Sequence, residues 1–372
     1  MRGVTIRKNW IDKLPLYEPG RPMEEVAREL GLDSVDDIVK LASNENALGP
    51  SPRAVHAMQK EASRMHIYPD GGSFYLRRAL GEKLGVDADH ILPGNGSNEL
   101  IEFLARAFLE PGDEIVMSER AFVIYKLVAM TQQAHTIAVP MDGYTHDLQA
   151  MRRAITPNTK LVFVANPNNP TGTAVSPDAL DQFIRSVPED VLVVLDEAYV
   201  ELLPPEEQPD SMRYVREGLP VCVLRTFSKA YGLAGLRLGY AVASKSLIRH
   251  LEHLRQPFNV NAMAHAGALA ALDDEEHVQK TRAMVRDGLR YICDALDAEQ
   301  IAYVPSRVNM LLVHVGDGRT VFKELQQRHV IVRPMDGYGL AEYIRVTIGT
   351  YEENRRFIEA LVPLLQQESL SS

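Results

Sequence analysis

Lys229 sits in the run RTFSKAYGLAGLRLGY (225–240), directly behind an apolar stretch and ahead of glycines that carry one arginine, Arg237. A surface lysine needs no such setting. Burial and nearby positive charge both disfavour an ammonium, and they leave a nucleophilic amine able to add to a carbonyl. Asp196 ends another apolar run, VLVVLD (191–196), and a carboxylate at that depth needs a partner to stay ionised. The stretch GNGSNE (94–99) enters a helical pattern through two glycines and a serine, Ser97, followed by Asn98. Free backbone N–H groups and the helix dipole make such an entry an anion seat, most often for phosphate. It lacks the third glycine of a dinucleotide fingerprint, and no Walker pattern occurs. An amine, a strand-end carboxylate and a phosphate seat together match what pyridoxal phosphate requires. The lysine would bond its aldehyde, and the acid would pair with its protonated ring nitrogen.

The elements that must hold these groups are short apolar runs alternating with amphipathic stretches. Strands are expected at 113–117, 135–140, 160–166, 191–199, 221–227 and 237–243, and their continuous Val/Leu/Ile content suits a largely parallel sheet covered on both faces. Helical patterns lie at 97–110, 121–133, 145–154 and 176–187, the last opened by Ser176-Pro177-Asp178. Ligands gather at the carboxyl ends of such strands, which is where GNGSNE, NPNNPTG (166–172), DEAY (196–199) and TFSK (226–229) fall. The reading is an α/β protein: a large domain over 47–257 and a smaller α+β domain over 258–372, which the N-terminal 1–46 joins. In the smaller part, a helical region spans 261–298, strands are expected at 309–315, 329–334 and 343–349, and helices at 319–328 and 352–367.

The chain has 372 residues, 45% of them hydrophobic, enough for more than one core. Its formal net charge of −10 argues against nucleic acid as a partner. Two distant cysteines, Cys222 and Cys293, read as reduced thiols, and the eleven histidines show no paired metal-ligand spacing. The basic start MRGVTIRKNW lacks an apolar signal core, and no run approaches the ~18 apolar residues of a membrane span. A cytoplasmic protein with no membrane partner and no metal is expected.

Taken jointly, YEPGRP (17–22), LASNENALGPSP (41–52), YPDGG (68–72), GNGSNE, NPNNPTG, DEAY, TFSKAYGLAGLRLGY, IVRPM (331–335) and IRVTIGTYEEN (344–354) resemble the fold-type-I pyridoxal-phosphate aminotransferases, specifically the histidinol-phosphate aminotransferase group. The likeness runs from residue 17 to 354. It implies a mostly parallel, seven-stranded type of sheet between helices, with a smaller α+β domain. Carried over position by position, it gives Lys229 the Schiff base with the cofactor and the proton shuttle between the substrate's α-carbon and the cofactor. Asp196 would pair with the ring nitrogen, and Asn169 and Tyr199 with the ring's phenolate oxygen. Ser97, Asn98, Thr226, Ser228 and Arg237 would hold the phosphate, joined by Tyr68 from the neighbouring subunit of a homodimer. Phe122 takes the place of the ring-stacking aromatic, usually a tyrosine, so the stacking stays and a hydroxyl is absent. Arg345 would take the amino acid's α-carboxylate, assisted by Asn46. Tyr17, Asn46 and Arg333 lie where the group grips the substrate's phosphate. Ala47 replaces the usual proline of SNENPLG, a change in loop stiffness.

The expected reaction is transamination between L-histidinol phosphate and 2-oxoglutarate, giving imidazole acetol phosphate and L-glutamate. Relatives with the same motifs accept phenylalanine or tyrosine, which is the alternative. A phosphothreonine-type decarboxylase shares the scaffold. A Ser228–Lys229 hydrolase dyad is opposed by geometry, since adjacent side chains on a strand or turn point apart. A cofactor-binding transcription regulator is opposed by the acidic charge.

Overall fold

The computed structural model describes residues 8, 10–15 and 22–369. Its largest sheet has seven strands in the order Ile91–Gly94, Gly239–Val242, Val221–Thr226, Leu192–Asp196, Thr159–Ala165, Glu114–Ser118, His135–Val139. Gly239–Val242 runs antiparallel to both neighbours, and every other adjacent pair is parallel. The inner strands bury nearly every residue, because helices cover both faces. Two cores result. One face holds Val162, Val164, Val193 and Leu195 among others, and the opposite face holds Leu161, Phe163, Val194 and Leu224. Alternate residues of one strand thus enter different cores, as the two-residue period of a strand demands.

The observed strands follow the apolar runs with altered ends: 237–243 is strand only over Gly239–Val242, and 329–334 divides into Val330–Ile331 and Arg333–Pro334. The strand expected over 191–199 ends at Asp196, where Glu197 N–H bonds Leu224 O at 2.8 Å and the chain then leaves the sheet as a short turn of helix, Val200–Leu202. The helical region expected over 261–298 divides into Ala262–Leu272 and Glu275–Ala298. Asp274 makes the break: its side chain caps His277 N–H, and it also accepts from Ser51 Oγ at 2.5 Å.

A four-stranded antiparallel sheet orders Arg333–Pro334, Tyr343–Thr347, Met310–His314 and Tyr303–Val304. Val39–Lys40 pairs in parallel with Val330–Ile331, and Val26 and Ala27 of helix Met23–Leu30 pack with Ile331. A division at 257/258 therefore cuts through a packed core. Ala264, Ala268, Ala271 and Leu272 of the following helix belong to the core of the large sheet. Helix Glu275–Ala298 serves both bodies: Val278 and Val285 enter the large core, Ile292 and Leu296 the small one.

Candidate functional site

The carboxyl ends of the large sheet surround a cavity of about 170 Å³, lined by Ser97, Asn98, Phe122, Asn169, Asp196, Tyr199, Thr226, Ser228, Lys229 and Arg237, with Tyr125 beside them. Ten of the expected residues thus meet at one place. A second chamber of about 570 Å³ continues toward the small sheet and contains Arg333 and Arg345. Phe122, Asn169, Tyr199 and Lys229 line both, so they mark the junction.

Each group is positioned by local chemistry. Gly96 enters helix Ser97–Phe108 with φ +80°, a left-handed value that glycine adopts freely. A Cβ there would stand 2.5 Å from Arg237 Nη2, and one on Gly239 would stand 2.5 Å from Ser97 N. Bare backbone at both positions lets the helix N-terminus and the guanidinium share one seat. Arg237 has φ +56°, and its Nη1 donates to Ala234 O at 3.0 Å and lies 3.4 Å from Ser228 Oγ. Thr226 Oγ1 is 3.1 Å from Ser228 Oγ, and Ser228 N–H donates back to Thr226 Oγ1. Helix N–H groups, two hydroxyls and a guanidinium converge, which is an anion seat.

Lys229 donates from Nζ to Ser43 O at 3.1 Å. Desolvation in the cavity drives its pKa down to about 7, and the Arg345 and Arg237 charges push the same way. Asp196 is buried, which raises its pKa. Hydrogen bonds from the Tyr125 hydroxyl and from Ala198 N–H act against that rise. Tyr199 is buried, and its hydroxyl accepts from Asn44 Nδ2 at 2.9 Å. Phe122 meets Tyr125 edge-on, ring centres 5.7 Å apart.

In the second chamber Arg345 and Arg333 are direct cross-strand partners, which puts both on one face of the small sheet. Arg345 is buried; its Nη1 donates to Asn169 Oδ1 at 2.5 Å and its Nη2 to Ala42 O at 2.8 Å. Lys126 and Arg319 add to the lining, while Asp336, its one carboxylate among the described residues, is bonded to Arg319 at 2.8 Å. This is a cationic cleft in a chain of net charge −10.

Two expected residues lie elsewhere, and a third is not among the described residues. Asn46 corrects the reading: its Nδ2 donates to Ala230 O and Thr281 Oγ1, and its Oδ1 accepts Leu48 N–H, so the amide is committed to the fold and lines neither chamber. Asn44, two residues earlier with φ +54°, faces the site instead. Tyr68 is 79% exposed, stacks on Phe258 at 4.6 Å and does not line its own chain's cavity. Tyr17 lies outside the described residues. Tyr125, absent from the expected set, carries no sequence signal beyond an aromatic in an apolar helix. Among the described residues no cluster of His, Cys, Asp or Glu could hold a metal, and no helix is long and apolar enough to cross a membrane.

Comparison with known proteins gives a consistent picture. The family model for aminotransferase class I and II matches residues 36–361. Histidinol-phosphate aminotransferase of Moorella thermoacetica is 50% identical over 351 residues, 94% of this chain and 90% of that protein. The enzyme of that name from Akkermansia muciniphila is 48% identical, over 95% of this chain and 97% of its own. The crystal structure of histidinol-phosphate aminotransferase from Sinorhizobium meliloti in complex with pyridoxal-5'-phosphate superposes with TM-score 0.89 at 26% identity, covering 98% of this chain and 99% of that one. Aspartate aminotransferase from Thermus thermophilus with maleate has TM-score 0.81 at 24% identity, over 97% and 100%, a likeness of fold.

Proposed function

Because the chain belongs to the aminotransferase class I and II family, we propose that it moves the amino group between L-histidinol phosphate and 2-oxoglutarate, yielding imidazole acetol phosphate and L-glutamate in histidine biosynthesis. It is a pyridoxal-phosphate-dependent aminotransferase. The relatives' names support the donor, and the observation that carries it is the Arg333–Arg345 pair. Like charges placed directly opposite on a sheet oppose each other, and a dianionic phosphate or a carboxylate between them removes that cost. Histidinol phosphate carries its phosphomethyl group on the carbon that bears the carboxylate in glutamate. One pair of arginines therefore serves both substrates, and the remaining space takes imidazole or the glutamate side chain.

The residues fit the cofactor: a seat that a Cβ on Gly96 would fill, an amine with a lowered pKa and a buried carboxylate line one cavity. Bound there, pyridoxal phosphate supplies an electron sink for the substrate's α-carbon. Ser97, Asn98, Thr226, Ser228 and Arg237 would hold its phosphate; Asp196 would keep the ring-nitrogen proton; Phe122 would cover the ring; Asn169 and Tyr199 would serve its phenolate oxygen. Lys229, its pKa lowered to about 7 by burial, would carry the covalent attachment and then move the proton at the α-carbon. Arg345 would take the carboxylate of glutamate, and Arg333 would join it on the phosphate of histidinol phosphate.

A homodimer completes the site in this reading. Met65, Ile67, Tyr68, Phe74, Tyr75 and Phe258 expose apolar surface in one stretch of loop, helix start and adjoining turn. A second copy packed there brings Tyr68 to the partner's phosphate seat. Two unpaired cysteines suit a cytoplasmic location.

The test is a panel of amino donors (histidinol phosphate, phenylalanine, tyrosine and phosphothreonine) with 2-oxoglutarate as acceptor. The expected result is a kcat/KM for histidinol phosphate at least tenfold above the rest. Preference for phenylalanine or tyrosine would move the assignment to aromatic amino acids, and carbon dioxide released from phosphothreonine without an acceptor would make the protein a lyase.

A further inference from the structure

The hydroxyl of Tyr125 donates to Asp196 Oδ2 at 2.6 Å inside the cavity that holds Lys229. Its ring is fully buried and fixed on two sides, stacked on Phe163 at 4.4 Å and 10° and set edge-on to Phe122. Phe163 belongs to the strand neighbouring Asp196's own, with Phe163 opposite Val194. The phenol is therefore held by the sheet itself, pointing at the strand end. We propose that Tyr125 is a positioning residue, which fixes the Asp196 carboxylate in one orientation and keeps it ionised, so that the cofactor's ring nitrogen retains its proton. This rests on the functional reading above.

The physical reason is a competition for one proton. A buried carboxylate facing a pyridine nitrogen can share the proton as an ion pair or as a neutral acid and base, and a dry site favours the neutral form. A hydrogen bond donated to the carboxylate stabilises its charged form and tips the balance toward the ion pair. The titratable groups facing Asp196 are Tyr125, Tyr199, Glu197 and Lys229. Glu197 is engaged with Arg225 at 2.8 Å, and the Tyr199 hydroxyl accepts from Asn44. Tyr125 alone among them donates a hydrogen bond to the carboxylate, which also accepts from Ala198 N–H at 3.2 Å.

The experiment uses the holoenzyme. Tyr125→Phe removes the hydroxyl and leaves the ring packing. The pH midpoint of the bound cofactor's visible absorption is expected to rise by about one unit, with kcat down by about tenfold, the scale of one hydrogen bond to a charged group. The rise follows because a ring without its nitrogen proton withdraws fewer electrons from the lysine-linked nitrogen, which then holds its own proton to higher pH. KM for the donor is expected to stay within about twofold, since Tyr125 does not line the chamber of Arg333 and Arg345. Replacing Tyr125 by 3-fluorotyrosine, a stronger donor of equal shape, should move the midpoint down, and it carries the test should Tyr125→Phe fold poorly. A midpoint unmoved in both variants, or a change in KM alone, overturns the inference. Wild-type protein that binds no pyridoxal phosphate would instead overturn the functional reading, and this inference with it.

Discussion

The guanidinium of Arg345 donates to the side-chain oxygen of Asn169 at 2.5 Å, joining the small sheet to the loop after strand Thr159–Ala165. Under the proposed function, the residue assigned to the substrate's anion and the residue assigned to the cofactor ring are hydrogen-bonded to each other. An anion that drew Arg345 away would free the amide of Asn169, so substrate binding would be coupled to the ring's surroundings.

Arg345→Gln should raise the KM for glutamate by at least about tenfold, the scale of losing charged hydrogen bonds. Steady-state kinetics check it. An unchanged KM with lowered kcat would place the α-carboxylate elsewhere.

Lys229 gives a pH signature in the protein freed of cofactor. Its folded pKa of about 7 lies below a lysine's ordinary 10.5, so between these values the unfolded chain binds more protons and stability rises with pH. Lys229→Met should remove that rise: urea unfolding from pH 7 to 10 would show wild type gaining on the variant. In the holoenzyme, borohydride should fix the cofactor to Lys229, and a label found on another lysine rules the assignment out.

Glu201 shows the opposite sign. Its carboxyl is buried, neither oxygen has a hydrogen-bond partner, and burial raises its pKa from 4.5 to about 7 against the attraction of Arg225. The folded chain then binds the extra proton, and wild type loses stability as pH climbs from 4.5 through 7. Glu201→Gln should flatten this loss and be the more stable protein at pH 8 by about 2–3 kcal/mol, with little difference at pH 4.5. Equal pH slopes in denaturant titrations would refute it.

Tyr68→Phe should weaken cofactor retention, measured as the rate of pyridoxal phosphate loss on dilution. Mixing Tyr68→Ala protein with Lys229→Ala protein should regenerate activity, because one site of each hybrid carries both native residues. No recovery in confirmed hybrids would rule out a shared site.

Strand ends were the legible part of this site. Parallel strands covered on both faces are unbroken apolar runs, and the first polar residue after each, such as Asp196 or Thr226, is where the sheet opens. Loop residues were harder. Asn44 and Asn46 are two positions apart in SNEN, and a left-handed φ at Asn44 decides which amide faces inward. Tyr125 reads as core in IYKLVAM, since the aim of its hydroxyl depends on how its helix seats on the sheet. The break at Asp274 is a capping event fixed by a distant serine, Ser51, which no local pattern discloses.

Helix Glu275–Ala298 sets a mechanical limit on the cleft. It is one continuous rod bolted into two separate interiors, and Gly288 lies near the crossing, where a Cβ would strike Ile348 and Asn354 at 2.5 and 2.6 Å. Any tilt of the two bodies toward one another would have to bend that rod, so a segment outside the chemistry would resist it.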